Sequence, residues 1–102
     1  MLATLLLSGQ TITGPGSSFR LDGASRTFHL TGITGSGAGT AAVNIEVSND
    51  NNTWLLLGTI SLILGPAIAA DGFASAASWL FARGNVTGIT GTSAQVTLTM
   101  AM

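Results

Sequence analysis

The chain has 102 residues, enough for one domain, and only 7% of them are charged, against about 25% in ordinary soluble domains. Arg20, Arg26 and Arg83 stand against Asp22, Glu46, Asp50 and Asp71, a net charge of -1, and the chain has no Lys and no Cys. Disulfide scaffolds, thiolate metal sites, Cys nucleophiles and basic nucleic-acid patches are excluded, and 46% apolar content excludes disorder driven by charge.

The first segment, Met1–Ser8, is apolar through Leu2, Leu5, Leu6 and Leu7. It has no basic leader and is too short for a usual signal peptide. The run Leu5-Leu6-Leu7 does not alternate, which predicts contact on both faces. Gly9 and Gly14-Pro15-Gly16 separate it from the next strand. Residues 1–13 are therefore expected to form an arm that packs at an interface through these four leucines, with 14–102 as the body.

Period-2 alternation then dominates. Phe19 and Leu21 share one face of a first strand, and Phe28 and Leu30 share one face of a second, with His29 opposite. Asp22-Gly23 between them is a candidate two-residue hairpin turn. Gly35–Gly39 reads as a flexible loop. Val43, Ile45 and Val47 point inward from the next strand, and Asn44 and Glu46 point outward. Asn49-Asp50-Asn51-Asn52 is an exposed turn in which no metal is expected, since one carboxylate does not make a calcium loop.

Asn52–Ala70 carries no charge and approaches the length of a membrane span. Its alternative is a long buried strand followed by a loop, and Gly58, Gly65 and Pro66 interrupt it. No membrane association is expected. Ala67–Ala77 is Ala-rich and could form a helical turn, although Asp71-Gly72 cuts it. Trp79, Phe81 and Arg83 share a strand face, where Arg83 needs a carboxylate or carbonyl partner. Trp79 and Arg83 are candidate interface residues. Finally, Ala94, Val96, Leu98, Met100 and Met102 form the inward face of the last strand.

Leu30-Thr-Gly-Ile-Thr-Gly35 returns as Val86-Thr-Gly-Ile-Thr-Gly91, each copy leading into an alternating strand. Two equivalent hairpins in a pseudo-symmetric sandwich would produce this echo, as would repeated turn chemistry in a Thr- and Gly-rich chain. Strands with Gly- or Asn-rich punctuation at short spacing give an all-β fold, a single antiparallel β-sandwich of about seven or eight short strands, jelly-roll-like.

Nothing in the sequence assembles a catalytic site. His29 has no nucleophile signature beside it, the four acids are dispersed, and Gly35–Gly39 lacks the Lys expected after a phosphate loop. Catalytic residues, cofactor and metal are all expected to be none. Trp54 and Trp79 would serve a carbohydrate-binding or adhesin module of a tail or fibre if both were exposed.

The ordered set of Gly14, Gly16, Ser17 and Phe19, then Asp22-Gly23, then Val43-x-Ile45-x-Val47-Ser-Asn-Asp50 with Trp54, resembles small virion proteins of tailed bacteriophages. Asp71-Gly-Phe73, Trp79-x-x-x-Arg83-x-Asn-Val-Thr87 and Thr90-Gly-Thr-x-Ala-x-Val96 complete the resemblance over residues 14 to 98. It implies a non-enzymatic virion structural protein with a β-sandwich body, at the head, neck or tail, and the leading expectation is a decoration or cement subunit on the head surface. It also implies a homo-oligomer, often a trimer, and the expected partner is the major capsid protein or another virion protein, while the three scattered Arg make nucleic acid no expected partner. Low charge and a mean hydropathy of +0.55 suit a subunit that leans on neighbours.

Overall fold

Thr, Val and Ile alternate along most of the chain, and such residues stand well on a pleated surface with one side buried. The computed structural model describes residues 4–20, 26–75 and 79–101, and its elements are all strands. They are β1 (Thr4–Gln10), β2 (Gly14–Pro15), β3 (Phe19–Arg20), β4 (Arg26–Ile33), β5 (Ser36–Ser48), β6 (Leu55–Leu64), β7 (Ala69–Ser75), β8 (Phe81–Thr92) and β9 (Gln95–Ala101). One sheet has the order β1-β9-β4-β7, and the other has β2-β8-β5-β6, with β3 also paired to β8. All pairs are antiparallel.

Taken together, β2 and β3 act as one interrupted strand. The first strand then pairs with the last, the second with the seventh, the third with the sixth and the fourth with the fifth. That is a long hairpin rolled over itself, the connectivity of a jelly roll. Only the β5–β6 connection stays within a sheet; every other one crosses from sheet to sheet. The two inner faces enclose Leu30, Val43, Ile45, Val86 and Leu98, all at most 1% exposed. Phe28 and Phe73 add a tilted ring contact at 5.4 Å. The inward and outward assignments of β4, β5 and β9 agree with the sequence alternation, with Met102 outside the described residues.

Several expectations are corrected. The strands holding Phe19 and Phe28 do not form a hairpin, because β3 and β4 belong to different sheets; the Asp22-Gly23 turn itself lies outside the described residues. Gly35–Gly39 is not a flexible loop, since β5 begins at Ser36, contains Gly37 and Gly39, and pairs Gly39 with Leu64 of β6. Ala69–Ser75 is a strand rather than a helical turn, because pairing with β4 overrides the helical preference of Ala. Asn52–Ala70 contains β6, which alternates instead of being buried on both sides.

The arm is also corrected. β1 pairs with β9 and forms an edge of the first sheet. A register shift between Leu5 and Leu7 turns Leu6 inward beside Leu7, and both are 3% exposed. The bulge explains the missing alternation, and neither side chain is free to serve an interface. Leu5 remains half-exposed, and Leu2 lies outside the described residues. Leu7→Ala should cost about 2–5 kcal/mol in urea unfolding, as for buried leucines in general. Removing residues 1–8 should abolish the cooperative transition instead of yielding a folded, assembly-deficient body.

The echoed segments end β4 and β8 and lead into the β4–β5 and β8–β9 corners, one crossing from the first sheet to the second and the other crossing back. They pack on each other. Gly35 N donates to Thr92 O at 2.8 Å, and Thr34 Oγ1 donates to Gly37 O at 2.7 Å. Exchanging β4 with β8 and β5 with β9 turns the β4–β9 pair into the β8–β5 pair, so the echo marks equivalent corners rather than hairpins. Gly39 sits where a Cβ would overlap Thr90 O and press on Gly91, itself at φ +120°. Gly39→Ala should therefore cost about 1–3 kcal/mol by overpacking, while Gly88→Ala, with open space around it, should stay within about 0.5 kcal/mol. Equal effects in chemical denaturation would contradict this account of the corner.

Candidate interaction surface

The strands run so that one end of the sandwich collects residues 11–13, the Thr34–Gly39 corner, the connection from Leu64 to Ala69 and the Thr92–Ser93 corner. The other end collects the β5–β6 turn and the segment around Trp79 and Leu80. The charges divide accordingly. Arg20, Glu46, Asp50 and Arg83 lie toward the second end, Arg26 opens β4 there, and Asp71 sits opposite Leu30 in mid-sheet. Among the described residues, the first end has no charge. It exposes Ile12, Ile63 and Ile68 at 70%, 82% and 71% on its different sides.

At the charged end, register brings Glu46 opposite Arg83. Arg83 Nε donates to Glu46 Oε1 at 2.7 Å, and Asn85 Nδ2 donates to Glu46 Oε2 at 3.3 Å. The Arg83 guanidinium also lies 4.3 Å from the centre of the Trp54 ring. Arg83 thus has the carboxylate that its strand position required. This layer is a braced structural group that joins β5 to β8 and to Trp54.

Trp54 and Trp79 are both half-buried, and one face of the Trp54 ring is taken by Arg83. They do not form a pair of free stacking surfaces. Trp79 packs against the core, while its neighbour Leu80 is exposed beside Leu55 and Leu56 at the same end. Of the residues expected at an interface, Leu5 is outward on β1, Trp79 and Arg83 are at the charged end, and Leu6 and Leu7 are interior. Sequence reasoning misses Ile12, Ile63 and Ile68, because their common end becomes visible only once strand directions are known.

His29 is exposed on the outer face of the first sheet, and no three of His, Asp and Glu gather among the described residues. The described surface has shallow concavities. One of ≈ 430 Å³ lies on the outer face of the second sheet beside Ala42, Ser61, Ile63 and Gly88, and one of ≈ 210 Å³ lies beside Thr31, Ile68 and Gln95. Both are lined by neutral residues.

No family model matches the chain, and no curated protein matches it. Among solved structures it is similar to the crystal structure of PBSX exported protein XepA, with a TM-score of 0.58 at 16% identity. The likeness covers 97% of this chain and 36% of that one, so this chain spans about a third of its neighbour's length. At that identity the likeness shows the fold.

The β5–β6 turn is organised by Asp50. Its Oδ1 accepts from Thr53 N at 2.7 Å, Asn52 N at 2.9 Å and the buried Ser48 hydroxyl at 2.7 Å, while Asn51 takes φ 57°. The Thr53 amide, then the Ser48 hydroxyl and the Asn52 amide, hold the Asp50 carboxyl well below the usual carboxylate range. A depressed native value contributes stability that is complete above the unfolded value and lost as pH falls through the native one. Melting temperature should therefore drop as pH is lowered below about 4, and Asp50→Asn should flatten that part of the curve. Identical pH profiles for the two proteins would refute the role given to Asp50.

Proposed function

We propose that the chain is a non-enzymatic structural subunit of a bacteriophage virion, of the kind that decorates or cements a capsid surface. The observation that carries this is the charge-free end bearing Ile12, Ile63 and Ile68. A lone soluble domain gains nothing from presenting large apolar side chains without charge, whereas a subunit seated on neighbours does. The motif resemblance over residues 14 to 98 points the same way, and the fold is one that the PBSX exported protein XepA shares.

The mechanism is adhesive. The neutral end docks on a virion protein, with the major capsid protein as the leading partner. Copies of the chain associate with one another, and together they bridge neighbouring positions of the shell. Neutral Thr-rich faces avoid the desolvation penalty that charged groups would carry into such contacts. Neither nucleic acid nor membrane is part of this reading.

Mass spectrometry of density-purified phage particles tests it directly. The chain should be present at a fixed copy number relative to the major capsid protein. Its loss from particles carrying Ile12→Asp with Ile68→Asp, both exposed positions, should accompany earlier shell rupture on heating. Absence of the chain from purified particles would overturn the proposal.

A further inference from the structure

A sandwich of two open sheets has four edges, and each edge strand offers unpaired backbone donors and acceptors that another strand can use. Here the four edges differ. β1 is broken by two register shifts, which spoil it as a template. β2 and β3 are two residues each, and β2 contains Pro15. β7 carries Asp71 next to Gly72. β6 has one register shift, opposite Ile45 and Glu46, and is regular beyond it. It has ten residues without charge or proline, and among the described residues it pairs with β5 alone.

The straight half of β6, Gly58–Leu64, lies beyond the irregularity opposite Ile45 and Glu46. Its inward residues Ile60, Leu62 and Leu64 are buried, and its outward residues Thr59, Ser61 and Ile63 are exposed. We propose that this half-strand is the site of self-association, where β6 of a second copy pairs antiparallel across a two-fold axis.

Three features select a second copy as the occupant. The vacant valence is that of a β-strand, which only another strand satisfies along its length. A neutral strand meets its own copy without like-charge opposition in any register, which an edge such as β7 with Asp71 cannot do. The outward side chains are neutral, and Ile63, 82% exposed, would gain cover from the adjoining sheet. The contact is isologous and closes at two, joining the β6 sheets of two copies into one. This names the self-contact of the assembly subunit proposed above and rests on that reading, but it departs from the trimer implied by the sequence resemblance.

The purified full chain tests the pairing apart from any particle. Light scattering at micromolar concentration should give twice the 10.2 kDa chain mass. Ser61→Lys should give the monomer mass with an unchanged circular dichroism spectrum, and Ile63→Lys should do the same if Ser61→Lys fails to fold. Because the chain has no Cys, single cysteines report contacts cleanly. Thr59→Cys, Ser61→Cys or Ile63→Cys should form a disulfide-linked dimer at least tenfold faster than Ser8→Cys on β1 or Ala74→Cys on β7. A monomeric or trimeric wild type, a dimer that both Lys variants leave intact, or equal cross-linking at β1 or β7 would overturn the pairing. Presence in purified particles is decided separately, so failure of one proposal is distinguishable from failure of the other.

Discussion

The close approach of two sheet-crossing corners holds this molecule in register. Facing sheets of a sandwich share apolar contact but no backbone ladder, so their relative placement is fixed mainly where the chain crosses between them. Thr34 sits at that point, 3% exposed. Its hydroxyl bonds Gly37 O within its own corner, and its amide bonds Gly65 O at 3.0 Å in the β6–β7 connection. Its methyl group lies where side chains on Gly39 or Gly91 would stand. One threonine therefore ties three crossings, and glycine is required around it because only a bare backbone leaves it room.

The rest of the structure manages polarity without charge. On the outer faces, Thr40 and Thr90 hydroxyls meet at 2.9 Å, Thr59 Oγ1 donates to Asn44 Oδ1 at 2.8 Å, and Thr87 Oγ1 donates to Ala42 O at 3.2 Å. Among the described residues no buried side-chain nitrogen or oxygen lacks a partner. Threonine suits this role because its branched carbon favours the strand while its hydroxyl spends itself on the neighbouring strand. The resulting surface is hydrated weakly compared with one of Lys and Glu, and it is correspondingly easier to cover.

The strand faces were legible in the sequence, because alternation is a local property that survives any arrangement of the sheets. Sheet membership was not. Phe19 and Phe28 both point inward, and nothing in a two-residue period says that they do so from opposite sides. The Leu5–Leu7 run was misleading for a related reason: a bulge and a two-faced interface leave the same non-alternating trace. Arg83 announced its need for a partner, but Glu46 became that partner only through the register of β5 with β8. The neutral end was hidden more deeply still, since Ile12, Ile63 and Ile68 are scattered along the chain and reach the same end only by strand direction.

Strand direction also links the neutral end to the β6 edge. Antiparallel pairing about a two-fold axis points the neutral ends of two copies in opposite directions, so each extremity of the pair carries one apolar end beside one charged end. A parallel ring around a three-fold axis would instead place every neutral end on one side, as docking on a single flat surface requires. The two arrangements therefore serve different geometries of adhesion. A β6-paired dimer can hold two partner surfaces apart while gripping both, and its neutral outer faces, with no like charges to oppose, allow such pairs to lie side by side. Taken together, the two proposals make a cementing role one of spanning between two surfaces rather than capping one.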